Sequence, residues 1–285
     1  MAKPKITDKK QISEILELHN SKEPISKIAE KFSVYPQVIT NILKKYKDYK
    51  PESLSLKNIN YFEKIDTHTK AYLLGFIAAD GAIVKQELTI TIHEKDRLIL
   101  DILKSELESS NDIQEIKKES LFHVRFTTSN ETLINHIKSF GITENKSLIM
   151  PNIIQNIPNE FKNSFILGYF DGDGSINVRE VFYNKCYSRK QSVQIRATKD
   201  FALGIIQAIG IEAYSLTEET MPSLKLSSID EIKRFYNAIY KDCPIFLSRK
   251  RDKFLIAIYR QINKSLYRNL YNQHISQDQT ISYSY

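Results

Sequence analysis

The sequence predicts an α+β protein, with two tandem αββαββα repeats forming a pseudo-twofold saddle behind a small all-α N-terminal domain. Three observations predict it. The same order of helix-like and strand-like periods occurs twice between residues 69 and 262. Each copy opens on an apolar helix with small residues four apart that ends in Asp-Gly. Residues 9–46 show only the period of short helices.

Residues 1–48 read as three helices. Ile12, Ile15, Leu16 and Leu18 form an apolar stripe on the first, and Ile28 and Ala29 turn inward on the second, from Ile25 to Phe32. Ser33-Val34-Tyr35 makes a tight connection, and Pro36 suits the first position of a third helix with Val38, Ile39, Ile42 and Leu43 inward. Ile25, Ala29, Val34, Val38 and Ile42 together resemble a helix-turn-helix of the resolvase and repressor kind. The resemblance implies that the third helix enters the major groove, with Gln37, Thr40, Asn41, Lys44 and Lys45 toward DNA. A packing module without groove contact would need the same core. The polar, basic outer side of the third helix favours DNA.

Residues 49–68 have mixed charge and little periodicity and read as a linker, in which Tyr61-Phe62 docks on the next domain. The first repeat, 69–157, starts with the helix AYLLGFIAADG (71–81). Strands at 82–84 and 87–93, a helix at 95–108, strands at 112–118 and 121–128, and a helix at 129–139 come after it. The second repeat, 158–262, starts with FILGYFDGDG (165–174). It continues with strands at 175–183 and 191–197, a helix at 199–209, strands at 212–217 and 222–227, and a helix at 229–240. Gly141-Ile142 and Gly210-Ile211 are helix stops. Residues 263–285 are polar, without a period, and read as an extension or a disordered tail.

Composition narrows the function classes. The hydrophobic fraction of 41% and charged fraction of 26% are ordinary for a globular protein. No apolar run approaches the ~20 residues that span a bilayer, and the charged start is not a signal peptide, so the chain reads as cytoplasmic or organellar and not secreted. Cys186 and Cys243 are far apart, against a disulfide framework or a zinc site. The net charge is +7, and residues 1–50 supply most of it, which points to a polyanion partner.

The paired motifs carry the chemistry. Gly75 and Ala79, like Gly168 and Gly172, put small residues on one helix stripe, so two backbones can approach closely. Asp80 and Asp173 then sit side by side at helix C-termini, with Gly81 and Gly174 as left-handed caps. The helix dipole and the second carboxylate both make that an unfavourable place for an anion. Such a pair needs cations, and hard oxygen donors suit Mg²⁺ or Mn²⁺, which would serve phosphodiester hydrolysis.

Leu73-Leu74-Gly75-Phe76-Ile77-Ala78-Ala79-Asp80-Gly81 and Ile166-Leu167-Gly168-Tyr169-Phe170-Asp171-Gly172-Asp173-Gly174 closely resemble the nine-residue signature of the LAGLIDADG homing endonucleases. The resemblance covers about residues 60–262. It implies a monomer with internal pseudo-twofold symmetry that cuts double-stranded DNA at a long specific site and leaves short 3′ overhangs. It also implies that Asp80 and Asp173 hold the metal. The acidic residue two before the catalytic aspartate is Asp171 in the second copy but Ala78 in the first, which implies sites of unequal rate. The family places a basic residue near each site. Lys146 matches in GITENKS (141–147), and Lys250, with Arg249 next, in LSRKRDK (247–253).

Strand alternation predicts a face toward DNA. In the first copy it holds Lys85, Thr89, Thr91, His93, Lys117 and Arg125. In the second it holds Asn177, Arg179, Tyr183, Lys185, Arg189, Gln191, Gln194 and Arg196, on a longer hairpin. Two other readings use the same features: a non-cutting sequence-specific DNA-binding regulator, and an RNA maturase that assists intron splicing. Both aspartates and both basic candidates are present, which favours the nuclease over the regulator. An intein is disfavoured, because the chain starts at its own Met and shows no flanking splicing segments.

Overall fold

The structure is a computed structural model that describes residues 6, 8–21, 23–46, 56–118, 121–144, 146–183, 186–217 and 222–259, without the side chains of 118, 147, 148 and 180–189. The proposed tail, 263–285, and Lys185 lie outside the described residues.

Helices α1 (Lys9–Asn20), α2 (Ile25–Lys31) and α3 (Pro36–Lys45) enclose their own small core of Ile12, Ile15, Leu16, Ile28, Ala29, Val34, Ile39 and Ile42. Asp8 caps α1 by accepting from the Lys10 N–H, and Pro36 occupies the first turn of α3.

The larger core begins before the first repeat. From Leu56 onward the stretch expected as linker packs into it: Leu56, Tyr61, Phe62 and Ile65 are buried there, and Leu56 bridges to Ser109. The two repeats each form a four-stranded antiparallel sheet, with the same strand order. The first runs β1 (Gly81–Val84), β2 (Glu87–His93), β4 (Leu121–Thr128), β3 (Gln114–Lys118). The second runs β5 (Gly174–Tyr183), β6 (Cys186–Arg196), β8 (Ser223–Leu226), β7 (Ser215–Thr217). One face of each sheet is apolar, with Leu88, Ile90, Ile92, Val124 and Phe126 in one and Ile176, Val193, Ile195, Leu224 and Leu226 in the other. Sheets that alternate in this way pack one face on a core and leave the other in water.

The motif helices α4 (His68–Asp80) and α8 (Lys162–Asp173) are buried on all sides. They touch through their glycines. A Cβ on Gly75 would collide with the Phe165 carbonyl oxygen, and one on Gly168 with the Tyr72 carbonyl oxygen. A Cβ on Gly172 would strike Ala79 and lie 2.9 Å from Asp80 Oδ2. The contacts are reciprocal, so the small-residue stripes set a backbone-to-backbone seam.

Gly81 and Gly174 are not left-handed caps. Their φ values are −73° and −91°, and each chain turns straight into an extended strand. Glycine is needed there for space: a Cβ on Gly81 would lie 2.6 Å from the Ile77 carbonyl oxygen, and one on Gly174 would strike the Phe170 ring. The left-handed glycines are Gly141 and Gly210, with φ of 99° and 74°, after helices Glu131–Ser139 and Lys199–Ile209.

Candidate nuclease site

Asp80 and Asp173 end α4 and α8 beside the seam, both half-buried. Burial, then the charge of Asp173, raises the Asp80 carboxyl to about 6. Burial also raises Asp173, against the pull of Lys146, Arg196 and Lys250 and a hydrogen bond from the Tyr169 hydroxyl. The cations act crosswise: among the basic groups, Lys250 weighs most on Asp80 and Lys146 most on Asp173.

Both lysines are buried. Lys146 opens a short helix, Lys146–Ile149, and donates to the Ala79 carbonyl at 2.5 Å. It lines a small pocket with Asp173, Ala78, Tyr169, Met150 and Thr198. Lys250 lies on α11 (Ser248–Ile258), a helix not expected from the sequence. Its ammonium donates to the carbonyls of Phe170, Asp171 and Gly174 at 2.6–2.8 Å. Burial lowers Lys250 to about 8 and also lowers Lys146. Arg249, the second basic candidate, forms a two-pronged pair with Asp96 at 2.9 and 2.6 Å, which ties α11 to the first repeat.

Asp171 does not join the two carboxylates. It is buried, and its Oδ2 accepts from Tyr72 Oη at 2.7 Å and from the Leu247 N–H at 2.8 Å. The asymmetry expected from Ala78 and Asp171 is therefore one of support behind the site.

The polar sheet faces hold most of the residues expected on them. Thr89, Thr91 and His93 alternate with the buried residues of β2, and Arg125 pairs with Thr91, donating to its hydroxyl at 3.0 Å. Lys85 is exposed in the β1–β2 turn. Asn177, Arg179, Gln194 and Arg196 are exposed on β5 and β6, and Gln194 donates to Ser223 at 3.0 Å. Two expected residues are on the other side. Lys117 pairs with Phe122, on the face of Val124 and Phe126, and Gln191 pairs with Val178 on the core side. Arg189 and Tyr183 lie on the strands, but their side chains are outside the described residues. Lys190, Ser192 and Lys225 share the polar face through their pairing with Arg179, Asn177 and Gln194, and sequence reasoning missed them. Counting back by twos from Gln194, which lies between the apolar Val193 and Ile195, would have found the first two. On α3, Gln37, Asn41 and Lys44 are exposed, and Gln37 donates to Asn41 at 3.1 Å. Thr40 is half-buried and donates to the Pro36 carbonyl.

Among solved structures, I-LtrWI, a LAGLIDADG homing endonuclease bound to target DNA, matches at a TM-score of 0.50 and 14% identity, over 79% of this chain and 99% of that one. The LAGLIDADG meganuclease I-AabMI, bound to uncleaved DNA, matches at 0.50 and 15%, over 70% and 96%. The fold is that of the LAGLIDADG homing endonucleases. At such identities the likeness is one of fold, and no family model matches the chain. A 174-residue stretch, 60% of this chain, is 28% identical to the probable translation initiation factor IF-2 of Methanocaldococcus jannaschii and spans 13% of that protein's length. The two helix ends meet where Gly172 abuts Ala79 and Asp80, and strands β1 and β5 begin at Gly81 and Gly174 directly after the aspartates. No helix among the described residues is long and apolar enough to cross a membrane.

Proposed function

We propose that the chain is a site-specific, metal-dependent double-strand DNA endonuclease of the homing type. The observation that carries this reading is the pair of raised, half-buried aspartates at the ends of two helices in backbone contact, with two buried lysines beside them. The polar sheet faces and solved relatives of the same fold bound to DNA support the choice of substrate.

The donor set fits a divalent cation such as Mg²⁺ or Mn²⁺. Asp80 and Asp173 offer hard oxygens, and burial raises both carboxyls, a cost of ionisation that a cation held between them would offset. Two carboxylates with phosphate and water are a usual Mg²⁺ complement. When bound, the metal would activate water and neutralise the scissile phosphate. The chain's own groups supply the rest. Lys146 brings a desolvated cation to the pocket beside Asp173, and the single proton of the Tyr169 hydroxyl is shared between two acceptors, Asp173 and the Arg196 carbonyl at 2.8 Å. Thr91, Arg125, Asn177, Arg179, Gln194 and Arg196 would read the duplex, and Gln37, Asn41 and Lys44 on α3 would add a second contact that raises affinity through effective concentration.

The test is incubation with Mg²⁺ and a plasmid library with a randomised insert, alongside the Asp80→Asn/Asp173→Asn protein. The wild type linearises a defined subset of plasmids and the double variant none. If the two behave alike at every metal concentration, the nuclease reading fails. If wild type binds a defined subset without cutting it, the regulator reading replaces it.

A further inference from the structure

A lysine ammonium has three N–H donors. Lys250 commits three to the junction of α8 and β5: the carbonyls of Phe170 at 2.8 Å and Asp171 at 2.6 Å in the last turn of the helix, and that of Gly174 at 2.7 Å, with Gly172 at 3.5 Å. Carbonyls at a helix C-terminus lack helical partners, and a buried cation there satisfies them. The lysine is itself held. Leu247, just before α11, donates to Asp171 Oδ2, which also accepts from Tyr72. This support exists once. The matching positions in the other half are Ala78 for Asp171 and Phe165 for Tyr72.

Lys146 is built differently. Among the described residues its ammonium meets one carbonyl, that of Ala79, and it lines an open pocket with Asp173. Among the described residues nothing else accepts from it, which leaves two donors for a group entering that pocket.

We propose that the two lysines divide the work. Lys146 is the cation that meets the substrate phosphate. Lys250 is a positioning residue: its ammonium clamps the end of α8 and so holds Asp173, and Asp171 with Tyr72 holds the clamp. The substrate half rests on the nuclease reading and departs from two equivalent lysines.

The experiment compares full-length wild type, Lys146→Met, Lys250→Met and Asp171→Ala/Tyr72→Phe. It reads amide hydrogen exchange at residues 170–174, the metal-free thermal midpoint, and single-turnover cutting of each strand of a plasmid site recovered from the library. Lys146→Met leaves exchange and midpoint at wild-type values and slows cutting about 100-fold or more. Lys250→Met speeds exchange at 170–174 about 10-fold and lowers the midpoint by about 5 °C. At temperatures where it stays folded, it slows cutting about 10-fold with DNA affinity unchanged, since it acts through Asp173. Asp171→Ala/Tyr72→Phe keeps both ammonium groups and shows the same two changes in weaker form, which decides the matter if Lys250→Met does not fold.

The proposal is overturned if Lys250→Met and Lys146→Met each abolish cutting of one strand with exchange unchanged, or if Asp171→Ala/Tyr72→Phe matches wild type in exchange and cutting. If wild type cuts neither strand, the nuclease reading and the role of Lys146 fall together, while exchange still decides the clamp.

Discussion

At Asp80, burial and the charge of Asp173 push in one direction, and the carboxyl rises from 3.8 to about 6. The raised value means that ionised Asp80 destabilises the metal-free fold. Its favourable contribution is full below pH 3.8 and is lost as pH rises through 6. Asp80→Asn is therefore expected to stabilise the chelated protein at pH 8 by about 1–2 kcal/mol, after discounting for partial exposure, with the gain fading below pH 4. Denaturant midpoints at the two pH values check this. Adding Mg²⁺ is expected to raise the wild-type midpoint more than that of Asp80→Asn/Asp173→Asn, since a ligand that binds only the folded state stabilises it.

At the scale of elements, the sheets would carry the recognition surface under the proposed reading. Lys190 and Lys225 are exposed on the polar face, beside Arg179 and Gln194. If they meet phosphates, Lys190→Ala and Lys225→Ala each flatten the dependence of log affinity on log salt by about one unit, measured as binding isotherms over a salt series. The elements also show how much is legible in the sequence. The motif helices are, because the four-residue spacing of Gly75 and Ala79, and of Gly168 and Gly172, has few structural uses. The caps are not, because glycine serves both positive φ and close approach, and only the Ile77 carbonyl and the Phe170 ring distinguish the two at Gly81 and Gly174. The side taken by Lys117 is hidden too, because β3, QEIKK, has one apolar residue, so its faces are set by pairing with β4. The helix α11 is hidden because SRKRDKFLIAI opens on four charges within its first five residues and buries Lys250 among them.

At the scale of the whole molecule, the two cores are built from separate residues, and the larger one starts at Leu56. A chain beginning at residue 56 is expected to keep the melting transition of the larger unit, by circular dichroism, and to bind DNA more weakly. A chain beginning at residue 66 also loses Leu56, Tyr61, Phe62 and Ile65. At about 1.5–3 kcal/mol for each buried side chain, that approaches the whole stability of an ordinary domain, so it is expected to be unfolded. The glycine seam has a mechanical consequence. Where backbone touches backbone, no side chain lies between the halves to change rotamer and take up movement, so the seam acts as a stiff hinge pin. Under the proposed reading, fitting the centre of a target to both aspartates falls to the duplex. Targets whose central steps bend at low energetic cost, such as TA or CA/TG, would then be favoured even at base pairs that no side chain reaches.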